Sequence, residues 1–246
     1  MTGILSYDFF AMRKKISAYV CLLLPVVFVI LYAVFASSEE YECTMPKMFS
    51  MGQIPLVMCM TVFYALYSGH DLKKGYIKNI AGSLPNRISY VLSKAALLIA
   101  YTLVSVGTML LTALAFAKGR MEGIGSETGS SDFYRYVGLL TLLLIAVMVT
   151  VLFLRVLTGN MTGTIVFAVL YGTGLLANLF YSLLSLLMYK LKWKFDFENI
   201  SLSLRLQSLS VQMDDKDIRA TLLIGIAYIL IFGTLSCVLF RRKDIA

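Results

Sequence analysis

Few residues in this sequence could do chemistry of their own. The 246-residue chain has one histidine, His70, and four cysteines, none of which forms a C-x-x-C pair. Catalytic and metal sites usually combine several such groups at fixed spacing. The sequence also lacks a G-x-x-x-x-G-K-[ST] phosphate loop, a G-x-S-x-G elbow and an H-E-x-x-H pair. We therefore expect no enzyme activity, cofactor or metal in this chain, so energy for any uphill transport would have to come from another protein.

The composition predicts whether the chain folds in water or in a membrane. Apolar residues make up 59% of the sequence and charged residues 15%, and the mean hydropathy is +0.80. Soluble domains carry about 25% charged residues, and this chain could not cover a soluble surface. A bilayer removes that requirement because the surrounding solvent is itself apolar. The sequence predicts an all-α membrane protein with one transmembrane domain over residues 1–246.

Six apolar runs are long enough to cross a bilayer, which takes about 20 helical residues. None of the six contains Asp, Glu, Lys or Arg. The predicted spans are 18–36, 52–69, 95–117, 136–154, 162–188 and 220–240. The first is longer than the apolar region of a typical signal peptide, so we interpret it as a retained anchor. The fifth contains Gly163, Gly172 and Gly174, which predict a tilt or a kink.

The distribution of charge predicts the direction of the spans. With the N-terminus inside, the inner segments hold 12 Lys and Arg residues and 3 acids, and the outer segments hold 10 and 11. Six of the ten outer bases lie in the long final loop, 189–219, which counts least in setting topology. We therefore predict that both termini are cytoplasmic. Topology explains the net charge of +8, so nucleic-acid binding is not needed to account for it.

Two segments outside the spans are predicted to be helical. Residues 1–17 carry an apolar stripe at helical spacing, with Arg13 and Lys14 off the stripe, which favours an amphipathic helix at the inner membrane face. A frayed basic tail is the alternative. The stripe consists of Ile4, Leu5, Phe9, Met12 and Ile16. In the segment 70–94, Asp71 suits the start of a short helix that ends before Pro85. A partner protein could bind this helix, although a basic loop that only sets topology has the same composition.

The fifth run and the loop after it hold polar groups whose role the pattern leaves open. Tyr171, Asn178 and Tyr181 place polar atoms in the fifth run, where they could line a path or satisfy one another. No predicted span has a charged residue at its centre, which disfavours proton- or sodium-coupled carriers. In the loop, leucines alternate with polar residues over 202–206, which fits a strand or an interfacial segment.

These features together resemble a known family. Six spans, an N-terminal amphipathic helix and the stretch Gly69–Lys94 resemble the membrane subunits of type V-fold ATP-binding-cassette exporters. The residues that carry the likeness are Asp71, Lys74–Asn79, Pro85, Arg87, Ser93 and Lys94, together with the ending Phe240–Ile245. Within that family the chain is similar to small permeases of lantibiotic immunity, bacitracin resistance and phenol-soluble-modulin export.

The resemblance implies a machine of several subunits in a bacterial cell membrane. Two copies of a separate ATPase would bind ATP and magnesium, and a second permease, identical or related, would complete a dimer. Residues about 71–81 would form the coupling helix that docks on the ATPase. The candidate coupling residues are Asp71, Leu72, Lys73, Lys74, Tyr76, Ile77, Lys78 and Asn79.

Three functions fit the sequence. The first is an exporter permease for amphipathic, antimicrobial or toxin-like peptides, since an uncharged lining suits such cargo. The second keeps the machinery but moves a drug, a lipid or a glycan. The third is a membrane scaffold or assembly factor without transport.

Overall fold

The computed structural model of the chain describes residues 2–38, 45–68, 87–119, 131–191 and 200–242. All regular secondary structure in these ranges is helical. The helices are α1 (Thr2–Arg13), α2 (Ile16–Ser38), α3 (Met45–Ser68), α4 (Arg87–Gly119), α5 (Ser131–Thr158), α6 (Met161–Gly172), α7 (Leu175–Leu191), α8 (Leu202–Gln207) and α9 (Asp215–Arg242).

The helices are those of a multi-pass membrane protein. Five of them, α2, α3, α4, α5 and α9, are long and apolar enough to cross a bilayer. Helices α6 and α7 satisfy the same test only as a pair bent by 67°, which is the geometry of a broken span or of a re-entrant loop; we call this pair the broken span. The predicted all-α membrane class is therefore confirmed, and so is the predicted kink in the fifth run.

Two spanning helices extend well beyond the predicted apolar runs. Helix α3 begins at Met45, seven residues before the predicted span, and α4 begins at Arg87, eight residues before its span. The predictions stopped where polar or charged residues began. The helical hydrogen bonds continue past that point, and the extension of α4 carries Lys94 into the protein interior.

Helix α5 lies at the centre of the bundle. It packs against α9, α3 and α4, while α2 packs on the outer side of α3 and α4. Most of α5 is buried, whereas α2 and α9 expose broad apolar faces. We call the end of the bundle that carries α1 the α1 end, and the opposite end, where α8 lies, the α8 end.

Three local features fix the chain between α5 and α9. Gly159 has φ of 65° and lets the chain turn into α6, which Asn160 caps by accepting a hydrogen bond from the Thr162 N–H at 3.1 Å. Gly174, with φ of 72°, forms the bend between α6 and α7. Residues 202–207 form a helix, so the strand considered for this segment is wrong. Its alternating leucines are compatible with both structures over so short a run.

Close packing of α2, α3 and α4 depends on Gly52. A Cβ atom at this position would lie 2.6 Å from Met109 Cε and 2.7 Å from Val29 Cγ2. We expect Gly52→Leu to force the three helices apart, because overpacking a filled core costs about 1–3 kcal/mol. The melting temperature of the purified protein in detergent measures this.

Gly107→Leu on α4 is the matched control. Apart from the two chain neighbours and the surrounding helix backbone, no atom lies within 4 Å of a Cβ built at Gly107, so this substitution should leave the melting temperature almost unchanged. Equal losses in both variants would show that Gly52 is not a contact point between the helices.

Candidate functional site

The predicted coupling residues, Asp71 to Asn79, lie outside the described residues. The structure does describe the helices that flank them, α3 up to Ser68 and α4 from Arg87. The geometry of those two helix ends therefore shows what the segment 69–86 is attached to.

A buried ion pair joins α1 to α4. Lys94 Nζ lies 2.7 Å from Asp8 Oδ1, and the two side chains are 3% and 2% exposed. The Tyr67 hydroxyl on α3 donates a hydrogen bond to the backbone oxygen of Asp8 at 2.7 Å. Three helices are thus tied together at Asp8, and α1 presents this residue to the bundle while Phe9 and Phe10 are exposed.

Aromatic rings surround the Lys94 ammonium. Its Nζ lies 4.6 Å from the centroid of the Tyr67 ring and 5.5 Å from that of Tyr90. Both distances are within the reach of a cation–π interaction, about 6 Å. The Tyr90 ring in turn stacks on Phe240 of α9 at 5.3 Å. We call this group, Asp8, Tyr67, Tyr90, Lys94 and Phe240, the Asp8 junction.

The Asp8 junction is suited to holding helices in register. A buried ion pair contributes little net stability compared with an apolar pair of the same size, but removing one partner is strongly unfavourable. Its geometry therefore specifies one position of α1 against α3 and α4. These are the two helices that flank the segment 69–86.

A second polar arrangement lies towards the α8 end, where the broken span meets α3 and α8. It is a cavity of about 380 Å³ that opens between exposed side chains of α3. We call it the outer-helix cleft. Its lining residues are Ser50, Gln53, Ile54, Val57, Met58, Gly172, Thr173, Leu206 and Gln207. None of these lining side chains is charged.

Gln53 connects three helices at the cleft. Its Nε2 donates to the backbone oxygen of Leu206 in α8 at 3.0 Å, and its Oε1 accepts a hydrogen bond from the Tyr136 hydroxyl of α5. Leu206 itself is buried. A single amide in α3 thus positions α8 against both α3 and α5. This contact holds the short helix α8 in place between the spanning helices.

Gln207 holds α8 to the bend of the broken span. Its Nε2 donates to the backbone oxygen of Thr173, and its Oε1 accepts from Asn178 Nδ2 at 3.4 Å. One turn earlier on α8, the Ser203 hydroxyl donates to the backbone oxygen of Tyr171. Helix α8 thus adds hydrogen bonds to two carbonyls at the bend, that of Tyr171, which also accepts from the Gly174 N–H at 3.1 Å, and that of Thr173.

Helix α8 is also joined to α9 by an ion pair. Arg205 Nη1 lies 3.1 Å from Asp217 Oδ1, and the two side chains are 8% and 50% exposed. Asp217 is in the first turn of α9, where a negative charge is favoured by the helix dipole. The Arg205 contact holds α8 to α9, and the glutamine contacts hold it to α3 and to the bend between α6 and α7.

The three path-lining candidates occupy different positions relative to the cleft. Tyr171 is partly buried and stacks on Phe167 at 5.5 Å. Asn178 contacts the cleft residue Gln207, and Tyr181 is exposed farther along α7. None of the three is among the residues that line the cavity, so a path-lining role stays a prediction.

Sequence reasoning missed Asp8, Lys94 as a buried residue, and both glutamines. Gln53 had a readable signal, since it is a polar side chain inside an apolar run. Asp8 and Lys94 are 86 residues apart; Asp8 lay in the segment interpreted as an interfacial helix and Lys94 in the basic segment 70–94, and no pattern paired them. Compared with known proteins, the chain matches no family model and no curated protein.

Proposed function

We propose that the chain is the transmembrane subunit of an ATP-driven exporter that moves amphipathic or antimicrobial, toxin-like peptides out of the cell or its membrane. A separate ATPase would supply the energy. The observation that carries this proposal is the Asp8 junction, which links α1, α3 and α4 on both sides of the segment identified by resemblance as the coupling helix.

The mechanical argument rests on the attachment of that segment. It leaves α3 one residue after Ser68 and enters α4 at Arg87. Tyr67 and Lys94, near these two points, are both bonded to Asp8. A force applied to the segment is therefore transmitted to two spanning helices and to α1 together.

The choice of cargo rests on the distribution of charge. In the described part of the spanning helices, the buried basic side chains Lys94 and Arg155 lie in the first or last quarter of their helices, and the central halves carry no charged side chain. Such an interior offers no partner for a charged substrate at mid-membrane. It suits a cargo that already partitions into the membrane through an apolar face.

The test is purification of the chain from its native membrane. We expect an ATPase to co-purify, and we expect the double substitution Asp71→Ala and Lys74→Ala to reduce its yield severalfold. Lys216→Ala, an exposed lysine in the first turn of α9, is the control and should retain it. Failure to recover an ATPase, or equal recovery with the double variant, would contradict the proposal.

Cargo is tested separately in vesicles that contain the complex. Amphipathic peptides should stimulate ATP hydrolysis. A response to lipids or drugs but not to peptides would support an exporter with a different cargo. A membrane scaffold without transport would show no nucleotide-dependent change in its spans.

A further inference from the structure

The hydrogen-bonding groups of the outer-helix cleft are only partly used within the protein. An amide NH₂ has two donor hydrogens, and Gln53 and Gln207 each use one on a backbone carbonyl. The hydroxyl hydrogens of Ser50 and Thr173 are donated to the carbonyls of Lys47 and Val169. Within the described ranges, two N–H groups and the lone pairs of two hydroxyl oxygens therefore remain for a ligand.

This inventory favours a ligand group that both donates and accepts hydrogen bonds. An alcohol does both with one atom. A phosphate or a carboxylate would need a cation, and the lining provides none. An ammonium would need a carboxylate, which is equally absent from the lining. The ligand head that fits is uncharged and carries hydroxyl groups.

The cleft opens at a depth where the bundle meets lipid. Helix α3 has 24 residues, so it is about 36 Å long against a hydrocarbon core of about 30 Å. Gln53 lies eight residues after Met45, about 12 Å from the helix end, and is therefore within the hydrocarbon region when α3 spans the core. Ile54 and Met58, which line the cleft, are 67% and 42% exposed.

The volume limits the size of the buried group. Ligand pockets in proteins range from about 300 to 1,000 Å³, so a cavity of about 380 Å³ is at the small end of that range. That is enough for a glycerol head and the first carbons of an acyl chain. The rest of the chain can continue along the exposed apolar side of α3 towards the bilayer centre, past Met58. The same space holds only a short piece of a peptide.

We propose that the outer-helix cleft binds the uncharged glycerol head of a glyceride that enters from the surrounding leaflet. Gln53 and Gln207 donate hydrogen bonds to its oxygens, and Ser50 and Thr173 accept from its hydroxyl groups. Leu206 and Val57 contact the first acyl carbons. The site is independent of the proposed export function, because binding requires only this chain and a bilayer.

The experiment uses the full chain in phosphatidylcholine nanodiscs with a monoacylglycerol that carries a photoreactive group next to its ester. After irradiation, we expect labelled peptides from α3 around Gln53–Met58 and from α8. Excess monooleoylglycerol should compete. Phosphatidylglycerol, which adds a phosphate to a glycerol head, and an amphipathic peptide should not compete. No ATPase is present, so the result does not depend on the export proposal.

Variants test the contacts. Gln207→Met removes a donor and Thr173→Val removes an acceptor, and each should lower site-specific labelling about fivefold, as expected for one hydrogen bond. Gln212→Met, at an exposed glutamine outside the lining, is the matched control and should have no effect. Because Gln207 lies on α8 and Thr173 in the bend between α6 and α7, the two variants guard against a folding defect in one of them.

Three outcomes would overturn the proposal. Labelling spread over the exposed faces of α2 and α9 would show general contact with lipid. Stronger competition by phosphatidylglycerol would show an anionic ligand, and stronger competition by the peptide would assign the cleft to peptide cargo.

Discussion

Gly174→Ala should lower the melting temperature by about 5–10 °C, because this glycine forms the bend of the broken span. Its φ of 72° lies in the left-handed region, which costs an alanine about 1–2 kcal/mol. A Cβ atom there would also collide with the Gln207 side chain. Displacing Gln207 breaks its bond to the Thr173 carbonyl and adds about 1 kcal/mol. A change of 1 kcal/mol corresponds to about 2–4 °C in a chain of this size.

The matched control for Gly174→Ala is Gly163→Ala, in the preceding helix of the same broken span. The nearest atoms to a Cβ at Gly163 belong to Asn160 and lie 3.8 and 3.9 Å away. Alanine also favours a helix more than glycine does, so this variant should melt at the same or a slightly higher temperature. If both variants melt like the unmodified chain, the bend does not depend on Gly174.

Lys94→Met should release α1 from the bundle. The substitution leaves Asp8 buried without the lysine, and removing one partner of a buried ion pair costs about 3–5 kcal/mol. We expect a lower melting temperature and faster tryptic cleavage after Arg13 or Lys14, which are exposed next to the end of α1. Asp8→Asn should act in the same direction with a smaller effect, since it keeps a hydrogen-bond acceptor for the lysine.

The double variant Asp8→Leu with Lys94→Met separates charge from packing. An apolar pair can replace a buried ion pair at little cost, so the double variant should regain much of the lost stability. Arg135→Met is the control, because Arg135 and Asp132 are 3.5 Å apart but more than half exposed. A double variant less stable than Lys94→Met alone would contradict this interpretation of the junction.

The spanning helices could be predicted because apolar run length is a local property of the sequence. The bend in the fifth run could also be predicted, since Gly172 and Gly174 are two residues apart. The reach of α4 back to Arg87 could not, because Lys94 reads as a loop residue until its partner Asp8 is known. That partner comes from a helix 86 residues earlier, and pairing over such a separation leaves no periodic signal.

The cleft was predictable only in its components. Gln53 stands out in an apolar run, but its partner is a backbone carbonyl of α8, and a carbonyl carries no sequence signature. Gln207 lies in a segment predicted as a polar loop, where a glutamine carries no signal of a specific contact. The position of α8 between the spans depends on these tertiary contacts and on the Arg205–Asp217 pair, which override the ambiguous local pattern of residues 202–206.

The central proposal is that the Asp8 junction would transmit movement from the proposed partner ATPase to the spans. It is tested by the distance between spin labels at Ser6→Cys on α1 and Leu157→Cys on α5, in a chain whose own four cysteines are replaced. The complex with its co-purified ATPase is measured with and without a non-hydrolysable ATP analogue. We expect the analogue to shift the distance, and we expect Lys94→Met to abolish the shift while the ATPase stays bound. No shift in the unmodified junction, or the same shift with Lys94→Met, would contradict the claim.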